Sequence, residues 1–353
     1  MTPGQAVWKP LSILRERRRY QISILTGGIG SGLFFALDGE HTLGREESRS
    51  GRLLDCRDYC KLHIIAHYIR ILVGDGFTVL PVGLVGDDEV GHRLLGEMDR
   101  TGMNLCYVDA ERGLSTLFSI CLLYPDGSGG NLTTNDSASS HVSVEKIRST
   151  ESEFIAHSPA GIVIAAPEVP LRARQELLRL ATAYGYFRCA SFTTDEIRQA
   201  ADSGMLDCVD LLAINCDEAA RLANVSPELA PLEIVEATVS SLSSRYPYTQ
   251  ASITAGDRGS WVWDGQELHH QPALEVDVRG TAGAGDAHFA GLVTGLIAGL
   301  TLELAHQLAV LVGALSVTSP HSINDEVDRD SLAGLANRFS HCFADDVHQL
   351  LVA

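Results

Sequence analysis

Short apolar segments alternate with longer amphipathic segments along most of the chain, and this alternation limits the possible folds more than any other feature. The apolar runs of strand length lie at residues 21–26, 78–85, 115–124, 161–166, 209–214, 250–254 and 260–263. Between them, hydrophobic residues recur every three or four positions, which is typical of helices; the predicted helices lie at 55–73, 89–101, 171–184, 284–298 and 302–317, and one begins at 218. Strands that alternate with helices favour a mostly parallel sheet with helices on both faces. The sequence therefore predicts an α/β fold.

Length and charge narrow the function classes. The 353 residues suit one large domain at 21–345, with an irregular leader at 1–20 and a tail at 346–353. The formal net charge of −18 argues against a nucleic-acid partner, because binding to the phosphate backbone needs a basic surface. No apolar run reaches about 18 residues, so no membrane span is expected. The leader lacks the apolar core of a secretory signal, and the eight cysteines lack the spacing of a small disulfide scaffold. We therefore expect a cytoplasmic protein.

A glycine-rich run opens the apolar segment at 284–298. It reads Gly280-Thr-Ala-Gly-Ala-Gly-Asp286. Backbone N–H groups at a helix N-terminus form an anion site, and glycine lets them approach phosphate oxygens closely. A carboxylate in the first turn, here Asp286, suits a different task, which is to accept a proton from an attacking hydroxyl beside a transferring phosphoryl group. The residues alone leave a second interpretation open, in which Asp286 only caps the helix.

Four motifs resemble those of one family, the ribokinase-like, PfkB-type carbohydrate kinases. The run that ends at Asp286 is similar to the C-terminal signature of that family, usually Asp-Thr-x-Gly-Ala-Gly-Asp. Residues 83–91 (GLVGDDEVG) resemble its N-terminal motif, Asn215-Cys-Asp-Glu218 matches its Asn-x-x-Glu motif, and Thr254-Ala-Gly-Asp-Arg-Gly259 matches its nucleotide loop. The motifs occur in the family's order over residues 21–325. The resemblance implies a ribokinase-like fold, with a central mostly parallel sheet, helices on both faces and a small β lid.

The resemblance also implies an activity, ATP-dependent phosphoryl transfer to a hydroxyl of a small sugar-like molecule, and a role for each matching residue. Asp286 would be the general base, and Gly283, Ala284 and Gly285 would complete the anion hole with it. Asn215 and Glu218 would hold Mg²⁺ through water, which suits an ion that keeps much of its hydration shell. The other nucleotide-binding positions would be Thr254, Gly256, Gly259 and Thr281. From the residues alone, Glu218 could instead be a solvated acid at a helix start, and Gly256 with Gly259 could form only a hairpin turn.

The chain departs from the family pattern at three places. Gly280 replaces the first Asp of the signature, which argues against a K⁺ site, although backbone carbonyls could still supply ligands. The stretch from Gly28 through Gly30 has no acid where relatives hold sugar hydroxyls, so these glycines are the substrate candidates there. Lys61 stands near a position where relatives have Asn, and a lysine favours an anionic acceptor. Alternatively, Lys61 is an exposed helix residue.

Assembly is predicted from the same resemblance. Relatives often dimerise through a small sheet that also covers the substrate. Lid segments are expected within 33–54 and 105–135, and we predict a homodimer.

Three other interpretations compete with the kinase. Four residues of metal-ligand type, Cys56, Cys60, His63 and His67, fall on one stripe of the helix predicted at 55–73, which could indicate a zinc site. The outer two are about 16 Å apart along the helix and cannot share one ion, so a site would need one pair with ligands from elsewhere. Gly27-Gly-Ile-Gly-Ser-Gly32 superficially resembles a dinucleotide-binding fingerprint, which would indicate an oxidoreductase. The altered substrate motifs also allow a nucleotide- or sugar-binding regulatory protein with little turnover.

Overall fold

The structure is a computed structural model that describes residues 8–39, 43–124 and 129–352 and omits the side chains of 55–57. Parts of the predicted leader (1–7), lid segments (40–42 and 125–128) and tail (353) lie outside the described residues. Within the described residues, no helix is both long enough and apolar enough to span a bilayer.

The main sheet is mostly parallel, as the sequence predicts. In the described part of the chain it has nine strands in the order β13-β12-β11-β10-β9-β8-β1-β4-β5. The two strands at one edge, β12 and β13, run antiparallel and the others run parallel. The strands are β1 Ile22–Thr26, β4 Thr78–Gly86, β5 Tyr107–Glu111, β8 Gly161–Ala165, β9 Phe187–Ser191, β10 Leu211–Asn215, β11 Gln250–Thr254, β12 Ser260–Trp263 and β13 Leu268–Gln271.

Helices cover both faces of this sheet. The alternating side chains of β8 separate into two cores, with Ile162 and Ile164 on one face and Val163 and Ala165 on the other. One face carries α1 Lys61–Val73, α2 Glu89–Arg100, α9 Ala284–Ile297, α10 Leu302–Ser316, α11 Arg329–Arg338 and α12 Asp345–Leu351. The other carries α3 Val144–Arg148, α4 Glu151–His157, α5 Leu171–Ala183, α6 Glu196–Asp202, α7 Cys216–Ala223 and α8 Pro231–Arg245. Because both faces are buried, the strands read as continuous apolar runs.

A second, four-stranded sheet lies beside the first. Its order is β3-β2-β6-β7, with β2 Gly30–Leu37, β3 Gly51–Tyr59, β6 Leu117–Leu123 and β7 Gly129–Thr133. Since β2 begins at Gly30, a strand and not a helix follows the glycines after β1. The dinucleotide-fingerprint interpretation of residues 27–32 is therefore wrong, because that fingerprint needs a helix at this point.

The first long helix begins later than its apolar periodicity predicts. Residues 55–59 belong to β3, where Tyr59 pairs with Ser31 of β2, and Cys60 is the N-cap of α1. Cys56 therefore lies on a strand, and the predicted Cys/His stripe on one helix does not exist. The local pattern was misleading because pairing with a distant strand overrode it.

The chain ends pack onto the domain. Leu11 is 4% exposed, and its N–H donates to the Leu72 carbonyl over 2.8 Å. The tail predicted at 346–353 lies largely in α12, where Leu350 and Leu351 are buried. Leu11, Leu350 and Leu351 thus belong to the same core cluster as α1, α9 and α10.

Helices α9 and α10 approach each other closely through glycine. A Cβ added at Gly295 would lie 2.7 Å from both Cα and Cβ of Ala305, and one at Gly291 would lie 2.9 Å from Ala309 Cα. Backbone atoms cannot move aside as flexible side chains do, so this contact limits the distance between α9 and α10.

We expect Gly295→Ala to destabilise the protein by about 1–3 kcal/mol, because the added methyl overpacks a helix–helix contact. The matched control is Gly334→Ala in α11, where a Cβ would meet nothing within 4 Å. That change should be neutral or stabilise by about 0.4–1 kcal/mol through lower entropy of the unfolded chain. Urea unfolding of both variants measures the difference, and equal shifts would contradict a tight α9–α10 contact.

Candidate active site

The candidate site lies at the carboxyl ends of the parallel strands, where the strand order reverses. Strand β1 pairs with β4 on one side and with β8 on the other. Just beyond these strand ends, the Gly28 N–H donates to the Pro167 carbonyl over 2.9 Å. Clefts at such reversals are the usual ligand sites of open α/β sheets.

The start of α9 presents unpaired backbone N–H groups. Gly283 is the N-cap with φ 79°, a left-handed conformation that favours glycine. Ala284 donates to Thr281 and Ala287 donates to Gly283, whereas the N–H groups of Gly285 and Asp286 have no backbone acceptor among the described residues. A Cβ on Gly285 would meet nothing within 4 Å. This helix start can therefore accept an anion.

Asp286 lies in an ion pair at the same helix start. Its Oδ2 is 3.6 Å from Nζ of Lys61, the first residue of α1, and the two side chains are 14% and 36% exposed. Burial raises the pKa of Asp286, and the ammonium of Lys61 opposes that shift. The carboxylate of Asp286 in turn raises the pKa of Lys61. Lys61 is thus not a free surface lysine, because its charge is engaged by Asp286.

Glu168 is a second carboxyl at this place, and sequence reasoning missed it. It follows β8 and has φ 76°, which is unusual for a residue other than glycine. Its Oε2 accepts the N–H of Lys61 over 3.2 Å. Burial raises the pKa of Glu168 to about 7, against the opposing charge of Lys61. Strained, partly buried carboxyls with shifted pKa values concentrate at functional sites.

Three glycines make room for these groups. A Cβ on Gly28 would lie 2.3 Å from Glu168 Oε2, and one on Gly30 would lie 2.8 Å from Cys60 Sγ. A Cβ on Gly32 would lie 2.8 Å from Asp58 Oδ2. The sequence has no acid in this stretch, but the structure brings acids to it from two other elements. Glu168 comes from the loop after β8, and Asp58 comes from β3.

Asp58 was also missed, because its segment was predicted to be helical. On β3 it faces Gly32 and is 5% exposed. Its Oδ2 accepts the hydroxyl of Ser119 over 2.8 Å and the thiol of Cys121 over 3.3 Å. Its negative charge contributes to the raised pKa of both Asp286 and Glu168. One signal could have identified Glu168, an acid directly after a predicted strand, but no local signal identifies Asp58.

The residues of the second motif lie at the end of β10, two strands from β8 in the sheet. Asn215 ends β10 and caps α7, with its side-chain oxygen accepting the Glu218 N–H over 2.9 Å. Glu218 Oε2 accepts the Asn215 N–H, also over 2.9 Å. Burial raises the pKa of Glu218 to about 7, and the charge of Asp286 contributes. Glu218 therefore caps α7 and also lies close enough to Asp286 for their charges to interact. The remaining oxygen lone pairs of Glu218 and Asn215 suit a hydrated Mg²⁺.

The nucleotide-loop residues lie next to that motif. Thr254 pairs with Asn215 across β10 and β11. Gly256 (φ 58°) and Gly259 (φ 86°) flank a tight turn into β12. A Cβ on Gly256 would meet nothing within 4 Å, whereas one on Gly259 would meet the Gln271 carbonyl at 2.2 Å. Gly259 therefore serves the turn, and Gly256 faces open space that a ligand could use.

Two further predicted positions lie upstream of α9. Thr281 is exposed, and its carbonyl accepts the Ala284 N–H. Gly280 lies against backbone carbonyls, since a Cβ there would be 3.1 Å from the Ser319 oxygen and 3.2 Å from the Pro320 oxygen. Because glycine stands where the family signature has aspartate, these backbone carbonyl oxygens are the ligands available to a cation at this position.

The remaining Cys/His candidates on α1 are packed against other side chains. His63 and His67 are buried on α1, where each packs against aromatic rings. Across the described ranges, no group of three or more His, Cys, Asp or Glu side chains is placed to hold a metal ion.

The chain resembles known kinases in sequence and in structure. A family model described as pfkB family carbohydrate kinase matches residues 69–329. A ribokinase of Schizosaccharomyces pombe is 25% identical over 243 residues, which are 67% of this chain and 72% of that protein. A ribokinase of Cryptococcus neoformans, solved with ADP, superposes with a TM-score of 0.72 at 18% identity, over 90% of this chain and 99% of the other. A nucleoside kinase of Burkholderia thailandensis, solved with inosine, gives 0.70 at 18% identity, over 90% and 98%.

We expect Glu168→Gln to stabilise the protein more at about pH 8 than at about pH 5. The pKa of Glu168 is about 7 in the folded state, whereas its ordinary value, expected in the unfolded chain, is 4.5. At pH values between these two, the folded state therefore binds more protons than the unfolded state. The wild type therefore loses stability from this group as the pH rises, by up to about 3 kcal/mol. Gln cannot ionise and removes that loss.

Urea unfolding of both proteins across this pH range measures the effect. Glu236→Gln, on the exposed face of α8, is the matched control and should show no pH-dependent difference. A stability difference for Glu168→Gln that is constant or shrinks with rising pH would contradict the raised pKa.

Proposed function

Because the chain belongs to the pfkB family of carbohydrate kinases, we propose that it transfers the γ-phosphoryl group of ATP to a hydroxyl of a small sugar-like acceptor. The observation that carries this proposal is the first turn of α9. Asp286 lies there in an ion pair with Lys61, beside backbone N–H groups that have no acceptor in the described part of the chain. A proton acceptor and an anion site thus occupy the same turn.

Asp286 is the general base of the proposed reaction. Its carboxylate accepts the proton of the acceptor hydroxyl as that oxygen forms a bond to the γ-phosphorus. The bond from the γ-phosphorus to the bridging oxygen breaks, and ADP leaves with that electron pair. The Lys61 ammonium holds the Asp286 side chain and favours its ionised form.

The helix start stabilises the transferring group. The N–H groups of Gly285 and Asp286, with the positive end of the helix dipole, face the negative charge on the phosphoryl oxygens. Gly283 provides the left-handed turn, and Ala284 continues the backbone that carries these donors. Together, residues 283–286 form the proposed anion hole.

Asn215 and Glu218 would hold Mg²⁺ through its water ligands, and the bound ion would neutralise charge on the phosphates. Thr254 and Gly256 would line the ATP phosphates on the adjacent strand end, and Thr281 would lie beside the anion hole. For K⁺, the Ser319 and Pro320 carbonyls near Gly280 are the candidate ligands.

Glu168 and the glycines at 28 and 30 would form the acceptor side. The Glu168 carboxylate lies against Gly28 and Lys61, so it can accept hydrogen bonds from acceptor hydroxyls. Glycine at 28 and 30 lets Glu168, Leu117 and Cys60 pack directly against the backbone there.

We further propose that two copies associate through the outer face of the second sheet. Leu132 pairs with Ile120, which lies two residues from Phe118, so the three share a face. Leu53 reaches the same face through Phe35, which pairs with both Leu53 and Leu122. Leu132, Leu53 and Phe118 are 62%, 56% and 36% exposed. Contiguous exposed apolar side chains of this kind mark interaction surfaces.

Asp286→Asn should lower kcat at least about a hundredfold, because Asn cannot accept the hydroxyl proton. Binding of ATP should be nearly unchanged, since the helix N–H groups remain. ADP release over a panel of sugars, nucleosides and polyols, with Mg²⁺ and with or without K⁺, identifies the acceptor, and calorimetry measures ATP binding.

Asp75→Asn is the control, since Asp75 is fully exposed and pairs with Arg70 away from the site. Near-normal turnover in Asp286→Asn would show that another group is the base. No stimulation of ADP release by any acceptor would favour a binding protein with little turnover.

Leu132→Asp should convert a dimer to a monomer, because a charge would be buried in an apolar interface. Leu229→Asp is the matched control, as Leu229 is 40% exposed in the loop before α8. Light scattering after size exclusion measures the mass of each. A monomeric wild type, or a dimeric Leu132→Asp, would contradict the proposed interface.

A further inference from the structure

Three buried polar side chains meet between the main sheet and the helices α9 and α10. Ser260 begins β12, and its hydroxyl oxygen lies 3.1 Å from Nε2 of His288 on α9 and 2.7 Å from Nε2 of His306 on α10. All three side chains are buried. Water therefore cannot replace a hydrogen bond that is lost here, and the remaining partners would stay unpaired.

The hydroxyl of Ser260 has one proton and can donate to only one of the two imidazoles. At least one of the imidazoles therefore donates its Nε2 proton to the serine oxygen. Both rings are neutral near pH 7, because burial lowers the pKa of His288 to about 4 and that of His306 to about 2. Nδ1 of His306 has no partner among the described residues, so Ser260 is the polar contact of that ring.

Ser260 lies in the same row of the sheet as residues proposed to bind the nucleotide and its metal. Asn215 of β10 pairs with Thr254 of β11, and Thr254 pairs with Ser260 of β12. The turn that contains Gly256 joins the last two. The position of Ser260 relative to α9 therefore sets the position of the nucleotide side of the site.

His288 connects this row of the sheet with the helix that carries Asp286. The two residues are two positions apart, which separates their side chains by about 200° around the α9 axis. Asp286 contacts Lys61, whereas His288 contacts β12. The other contacts here are apolar, since Val262 of β12 lies in the same core as α9 and α10. Apolar burial is non-directional, so the hydrogen bonds fix the position of α9 on the strand.

We infer that Ser260 and His288 are positioning residues that hold the nucleotide side of the site at a fixed distance from the anion hole of α9. This inference rests on the proposed function, since it concerns ATP binding at the same site. Without the hydrogen bond, only a fraction of the molecules would present both halves at the spacing that ATP requires. The apparent Kd rises by the inverse of that fraction.

His288→Leu should raise the Kd for ATP about three- to tenfold, which matches the net contribution of one hydrogen bond. His288→Gln should bind ATP within about twofold of the wild type, because its amide reaches as far as Nε2 and can bond to Ser260. Calorimetry with ATP and Mg²⁺, without acceptor, measures both. Partial misfolding changes the stoichiometry and not the Kd, so it cannot mimic the result. The matched control is His67→Leu, since His67 is a buried helix histidine whose Nε2 has no partner among the described residues.

Ser260→Ala should weaken ATP binding at least as much as His288→Leu, because both imidazoles lose their partner. Adding His288→Leu to Ser260→Ala should cause little further loss, since the two residues act through one contact. Ser23→Ala is the matched control, because the Ser23 hydroxyl is buried on β1 without a partner in the described part of the chain. It should leave the Kd unchanged.

The outcomes separate this inference from the proposed function. Equal Kd values for His288→Leu and His288→Gln, or additive losses in the double variant, would overturn the inference while ATP binding by the wild type leaves the proposed function in place. A wild type that does not bind ATP would count against both.

Discussion

Lys61 and Asp286 lie in the first turns of α1 and α9, two helices that pack against each other, and their ion pair joins two helix N-termini. Each N-terminus carries partial positive charge and unpaired N–H groups. Their convergence concentrates positive potential at one place, where a phosphoryl group can be held. The carboxyl groups nearby are tolerated for the same reason, because the helix ends and the ammonium offset part of their mutual repulsion.

Space at this place depends on residues that lack side chains. The glycines at 28 and 32 let Glu168 and Asp58 lie directly against the backbone. This arrangement has costs, because Glu168 adopts a left-handed backbone conformation and its pKa is raised by burial. Such costs persist where the surrounding structure enforces them and function gains from them.

Much of the fold and the proposed phosphate-handling half of the site could be predicted locally. The helix at 284–297 and its glycine-rich start follow from neighbouring residues, and so does the cap formed by Asn215 and Glu218. The proposed acceptor half of the site could not be predicted locally. Residues 55–59 carry helical periodicity but pair as a strand with β2, and that pairing places Asp58 against Gly32. Glu168 lies more than a hundred residues from Lys61 in sequence, so only folding brings them together.

The sequence by itself determined the alternation of strands and helices, the anion-binding start of α9 and the four motifs that mark a carbohydrate kinase family. These features depend on residues close together in the chain, whose conformation is set by periodicity, glycine and capping. Only the tertiary structure decided the charge around Asp286. It paired Lys61 with Asp286, and it placed Asp58 and Glu168 beside bare glycine backbone. Electrostatic energies depend on distance and burial in space, and neither can be read from positions along the chain.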